Sequence, residues 1–135
     1  MSTRQLILWV DDDLDDLEIF TQAAAEVCPE AEVHYAHNGL EALTYLERAK
    51  SAKAFPDLVI LDMNMPKLGG RETLASIKSN PDFQQLNVIV FTTSSSPLDA
   101  LFCEKYGAEI FIKPQSYEHL KEFARRFFLI SSGRA

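Results

Sequence analysis

Long apolar runs are missing from this sequence. No segment approaches the ~20 consecutive apolar residues that a membrane-crossing helix requires. Cysteine is scarce: Cys28 and Cys103 stand far apart, which excludes a disulfide framework and any paired metal-ligand spacing, leaving two reduced thiols. Glycine and proline total five and six residues, and no linker, repeat or low-complexity segment interrupts the chain. Basic residues are outnumbered, 13 against 20 acidic, for a net charge of −7. That balance argues against a nucleic-acid partner held through phosphate contacts. The N-terminal Met1-Ser2-Thr3-Arg4-Gln5 runs into a strand without the apolar region or cleavage site of a signal peptide, so the expected location is cytoplasmic.

What is present is an ordinary globular composition, 47% hydrophobic and 24% charged over 135 residues. This length predicts one domain, residues 1–135, with nothing after the last helix to serve as an output domain. The organising stretch is Leu58-Val59-Ile60-Leu61-Asp62-Met63-Asn64-Met65-Pro66. Four consecutive apolar residues read as a strand buried on both faces. Asp62 is the first residue to leave it. Leu6 to Val10 likewise ends at Asp11-Asp12-Asp13, Val88 to Phe91 at Thr92-Thr93, and Ile110 to Ile112 at Lys113. A further short strand is expected from Glu32 to Ala36.

Helical spacing separates these strands. Leu14, Leu17, Phe20, Ala24 and Val27 form the first apolar stripe, with Asp13 placed as N-cap and Asp15 and Asp16 favourable in the first turn. Asn38-Gly39 signals a turn before a second helix marked by Leu40, Leu43, Tyr45 and Leu46, which should end before Lys50 to Lys53. Lys67-Leu68-Gly69-Gly70 links to a helix from about Arg71 to Ser79. A fourth helix begins at Pro97, carries Leu98, Leu101, Phe102 and Tyr106, and ends at Gly107. The last follows Ser116 with Leu120, Phe123, Ala124, Phe127 and Phe128. Phe127 and Phe128 adjoin and should not both point the same way.

Five strands alternating with five helices predict an α/β domain, a parallel sheet covered by helices on both faces. Crossover handedness and the gathering of strand ends favour the order 2-1-3-4-5. Strand spacing of about 4.8 Å then sets Asp12 beside Asp62 and leaves Lys113 roughly 10 Å away, a gap its stem can largely cross. Carboxylates held this close repel one another unless a cation sits among them. Oxygen ligands of this kind suit Mg²⁺, which needs only one or two carboxylates besides phosphate oxygens and water. A cation there, the Lys113 ammonium and the Thr92 hydroxyl together suit transfer of a phosphoryl group to Asp62.

Val10-Asp11-Asp12, Leu61-Asp62-Met63-Asn64-Met65-Pro66 with Gly69-Gly70, Phe91-Thr92 and Lys113-Pro114 resemble, in order and along essentially the whole chain, the receiver domains of two-component response regulators. The resemblance implies a flavodoxin-like fold and Asp62 as phosphoacceptor. It implies Mg²⁺ held by Asp11, Asp12, Asp62 and the backbone carbonyl of Asn64, Thr92 as switch hydroxyl and Lys113 as phosphate contact. The implied donor is a histidine kinase or phosphotransfer protein, and the implied chemistry is limited to the protein's own phosphorylation and dephosphorylation. A cis Lys113–Pro114 bond also follows from it. The chain departs from the family at Ile110, three positions before the lysine, where an aromatic ring is usual. The expected signalling surface, for a target protein or a second copy, is the fourth helix, fifth strand and last helix.

Two other readings fit parts of the pattern. A haloacid-dehalogenase-type phosphatase also places an aspartyl nucleophile after its first strand, and Asp11-Asp12-Asp13 superficially fits its Asp-x-Asp signature. The chain is short for that enzyme's cap, and Asp62 has no role in it. A pseudo-receiver would keep the fold and bind proteins without phosphorylation; the complete acidic, hydroxyl and lysine set argues against it. His34, His37 and His119 show no paired spacing and read as structural or solvent-exposed.

Overall fold

The computed structural model describes residues 5–133; the expectation for Met1–Arg4 lies outside them. The elements run β1 (Leu6–Val10), α1 (Leu14–Val27), β2 (Glu32–Ala36), α2 (Gly39–Ala52), β3 (Leu58–Leu61), α3 (Gly70–Ser79), β4 (Val88–Thr92), α4 (Pro97–Lys105), β5 (Glu109–Ile112) and α5 (Tyr117–Ser131). The five strands form one parallel sheet in the order β2-β1-β3-β4-β5. This is the α/β order expected from the sequence.

Alternation along each strand divides the core in two. Leu8, Val10, Val59, Leu61, Val88 and Val90 face one side, where Leu46, Leu74, Ile77 and Cys103 of α2, α3 and α4 cover them. Ile7, Trp9, Leu58, Ile60, Ile89 and Phe91 face the other, under Leu17, Phe20, Ala124 and Phe127 of α1 and α5. All four residues of β3 are fully buried because helices lie on both faces. Each such Leu or Ile side chain contributes about 1.5–3 kcal/mol through burial. Phe127 is ringed by Phe91, Phe111 and Phe123.

Several local expectations are corrected. Phe127 and Phe128 are both buried in one cluster, which leaves their expected divergence about the helix standing, because α5 packs against α1 as well as covering the sheet. Leu14 and Leu40, assigned to the inward stripes, are exposed; each stands at the first turn of its helix, beyond the strand edge that the stripe covers. Asn38-Gly39 is the start of α2: the Asn38 side chain accepts from the Glu41 N–H. That helix continues through Lys50 to Ala52, ending where Lys53 adopts a left-handed φ of 55°. Lys113–Pro114 is trans, no cis bond occurring among the described residues. The lysine needs no such bend, since its flexible stem alone carries the ammonium over the sheet edge.

Gly70 fixes where α3 begins. Its N–H donates to the Met63 carbonyl at 3.1 Å, and a Cβ there would collide with the Asp62 carbonyl and the Met63 Cα. Only glycine lets the helix start pack directly on that backbone.

Candidate functional site

Register brings the site together. Val10 lies opposite Leu61, so Asp11 and Asp62 leave the sheet side by side, and the Asp62 N–H donates to the Val10 carbonyl at 3.0 Å. Thr92 pairs with Ile112, and the next residue, Lys113, donates its backbone N–H to the Thr92 carbonyl at 2.9 Å. Carboxylate oxygens of Asp11, Asp12 and Asp62 all lie within 4.8 Å of one another, with Asp11 and Asp62 buried and Asp12 exposed. This is a donor set for a hard divalent cation with an open side toward water.

Lys113 crosses the sheet edge into this cluster. Its Nζ donates to Asp11 Oδ2 at 2.6 Å, Asp16 Oδ2 at 2.8 Å and Asp62 Oδ2 at 3.3 Å. Burial by itself would lower the lysine's pKa, but hydrogen bonds to Asp11 and Asp16 and the charges of Asp62 and Asp11 outweigh it, and the net shift is upward. The ammonium therefore stays charged. Burial pushes Asp11 the other way, up to about 6, with Lys113 and the Asp13 N–H pulling it back. A buried carboxylate with a raised pKa is one that a bound cation would stabilise in its charged form.

The acidic run divides its labour by position. Asp13 is the α1 N-cap, accepting from the N–H groups of Asp15 and Asp16 at 3.0 and 3.2 Å. It is thereby engaged with the backbone, which weakens the Asp-x-Asp reading of this segment. The cap fixes the first turn so that Asp16 faces Lys113. The sequence indicated Asp16 only as a favourable first-turn charge; the available signal was its place five residues after Asp11, one helical turn beyond the strand end.

Thr92 is fully buried at the end of β4, its hydroxyl accepting from the Ser94 N–H at 3.2 Å. The Asn64 N–H donates to Asp62 Oδ1 at 3.3 Å. Ile110 is half-buried against the α4 side of the core.

A second polar constellation, without any sequence signal, adjoins Thr92. Ser94 Oγ donates to Asp99 Oδ2 at 2.6 Å, and Arg71 Nε donates to Asp99 Oδ1 at 2.7 Å, with its Nη2 also on that oxygen. The guanidinium sits 5.8 Å from the Phe102 ring centroid. The Ser94 hydrogen bond and then Arg71 hold the Asp99 carboxyl below its ordinary range. These contacts tie the β4–α4 loop to the first turns of both α3 and α4.

The three histidines stand apart from the site. His34 lies between Glu32 and Tyr45, and His37 contacts Glu41. No helix among the described residues is long and apolar enough to cross a membrane.

Comparison with known proteins gives one consistent result. Residues 7–125 match the response regulator receiver domain. The response regulator Rcp1 of Synechocystis sp. is 33% identical over 99 residues, covering 72% of this chain and 67% of that protein. A probable methanogenesis regulatory protein of Methanothrix harundinacea, FilR2, is 30% identical over 118 residues, 86% of this chain and 76% of its own length. Among solved structures, the phosphorylated cyanobacterial phytochrome response regulator RcpA matches with a TM-score of 0.87 and 28% identity over 98% of this chain and 97% of its own. The Mn²⁺-bound form of Rcp1 matches with a TM-score of 0.79 and 26% identity, covering 93% and 92%.

Proposed function

Because this chain belongs to the response regulator receiver domain family, we propose that it is a phosphoacceptor whose Asp62 takes a phosphoryl group from a phosphohistidine of a kinase or phosphotransfer protein. The observation that carries this reading is the convergence of Asp11, Asp12 and Asp62 within 4.8 Å, with Lys113 Nζ already on Asp62. Residues 1–135 are read as one receiver domain, working in the cytoplasm.

In the transfer, a carboxylate oxygen of Asp62 attacks phosphorus and forms the acyl phosphate bond. The P–N bond breaks, and its electron pair leaves with the histidine ring. Asp62 is buried at the strand end with its other oxygen near the Asn64 N–H, so its orientation is set before the donor arrives. Lys113 meets the developing charge on the phosphoryl oxygens with one of its N–H donors. The Thr92 hydroxyl, one strand over, donates to another. Asp11, Asp12, Asp62 and the Asn64 carbonyl would hold Mg²⁺, which supplies charge neutralisation and alignment of those oxygens. The Mn²⁺ held by Rcp1 supports a divalent ion here.

The signal leaves through β4 and α4. A Thr92 hydroxyl turned toward the phosphoryl group gives up its bond from the Ser94 N–H. Ile110 is smaller than a ring and stiff at its first torsion, so it fills the space left by the hydroxyl incompletely. The response therefore falls on the β4–α4 loop and α4 more than on a rotamer exchange. Leu98, Leu101 and Ile112 are exposed on that side, and this surface would receive a target protein or a second copy.

The test is acetyl phosphate with Mg²⁺, followed by intact mass. The wild type should gain one base-labile phosphoryl group and Asp62→Asn none, with the fold kept. Undiminished labelling of Asp62→Asn would remove Asp62 from its role.

A further inference from the structure

We infer that Asp16 is a positioning residue for Lys113, holding the ammonium toward α1 and competing for it with the phosphoryl group on Asp62. The inference rests on the phosphoacceptor reading above. A lysine ammonium has three N–H donors, and here three carboxylates take them: Asp11, Asp16 and Asp62. The contacts are unequal. Those to Asp11 and Asp16 are 2.6 and 2.8 Å, whereas Asp62 is at 3.3 Å. The ammonium thus sits closer to Asp11 and Asp16 than to the acceptor, with its longest contact to Asp62.

The two closer partners differ in kind. Asp11 belongs to the cation-binding triad and Asp16 does not. A cation among Asp11, Asp12 and Asp62 would satisfy Asp11, leaving Asp16 as the carboxylate that retains the lysine. Its place is fixed by the α1 cap, because Asp13 accepts from the Asp16 N–H. Its side chain is 36% exposed, against 0% for Asp11, and with Lys113 it lines a cavity of about 280 Å³. Water can replace Asp16 on the lysine, so the lysine can leave it at small cost. A phosphoryl group on Asp62 pulls the lysine against its contact with Asp16, and the Asp16 charge also repels that group. Both effects act in the same direction: removing the Asp16 charge favours the phosphorylated form.

The test compares wild type, Asp16→Asn and Asp16→Glu in two measurements. Without metal, the Lys113 side-chain ammonium resonance reports the contact directly. It should shift or broaden in Asp16→Asn and return toward wild type in Asp16→Glu, which keeps the charge. With Mg²⁺, beryllofluoride serves as the stand-in for the phosphoryl group. Its affinity should rise about threefold in Asp16→Asn, the size of a half-exposed ion pair, and stay near wild type in Asp16→Glu. Equal or weaker binding by Asp16→Asn would overturn the competition, as would an unmoved Lys113 resonance. Wild-type protein that takes up no beryllofluoride would count against the phosphoacceptor reading instead, and the Lys113 resonance would still decide whether Asp16 holds the lysine.

Discussion

Replacing Asp12 by alanine should make the metal-free protein more stable. Its carboxylate lies within 4.8 Å of those of Asp11 and Asp62, and Lys113 contacts each of those two and Asp16. Asp12 thus adds charge to the cluster without sharing directly in the lysine. At that separation each repulsion is about 0.9 kcal/mol at the dielectric of water and larger where burial lowers it. Physiological salt, with a screening length of about 8 Å, removes part of it. Relief of two repulsions is then worth about 1–2 kcal/mol. With an unfolding entropy of about 2.1 cal/mol/K per residue over 135 residues, the melting temperature in chelator should rise by about 4–7 °C. Mg²⁺ should close most of that gap. At ten times its dissociation constant it stabilises the wild type by about 1.4 kcal/mol, and the variant, having lost a ligand, should gain less than half of that. Thermal melts in chelator and across a Mg²⁺ titration measure both quantities. A variant that melts at or below wild type in chelator, or responds undiminished to Mg²⁺, would refute the reasoning.

Phe127→Ala empties the junction of the α5 aromatic cluster and should cost about 3–5 kcal/mol, read as a lower urea midpoint at unchanged slope. Asp99→Ala removes the acceptor shared by Ser94 and Arg71 and should cost about 1–2 kcal/mol, the low end for charged hydrogen bonds, because Arg71 is half-exposed and regains water. Asp99 has a lowered folded-state pKa, so its stabilisation is complete above the unfolded value of about 3.9 and disappears as pH falls through the folded value. The stability gap between wild type and Asp99→Ala should therefore narrow as pH falls below the unfolded value, and a gap that widened on acidification would contradict that sign. Beryllofluoride with Mg²⁺ should move the backbone amide resonances of Thr92, Thr93 and residues 97–106; changes confined to the metal-binding loops would show that α4 does not carry the signal.

The strand ends were legible in the sequence because each is a purely apolar run closed by one polar residue, and a parallel sheet leaves those residues a single edge to occupy. Asp11, Asp62, Thr92 and Lys113 followed from that rule, whereas the choice of Asp12 over Asp13 as the second carboxylate of the triple rested on the family resemblance. The Asp13 cap was legible as well, since its partners are its own neighbours. Asp16 was visible as a charge but not as a lysine partner, because its direction depends on how α1 docks. The Arg71–Asp99–Ser94 contacts left no trace: they join residues 28 and 5 positions apart whose meeting depends on the packing of α3 beside α4. On α4 the buried residues are Asp99 and Cys103 while Leu98 and Leu101 are exposed. The leucines there do not mark the packed face, and the exposed Leu14 and Leu40 mark a second limit. Periodicity shows that a helix has an apolar side, but not how far along the helix the sheet extends beneath it.

Gly70 gives this arrangement a mechanical reading. The start of α3 rests on the Asp62 carbonyl with no side chain between them, and the next residue, Arg71, grips Asp99 on α4. One step of covalent chain and one ion pair therefore span the distance from the acceptor's own main chain to α4. A side chain in that joint would act as padding and absorb a small displacement of the strand end. Without it, the two surfaces bear on each other directly, so a movement at Asp62 is passed to the start of α3, the same helix end that Arg71 ties to Asp99 on α4.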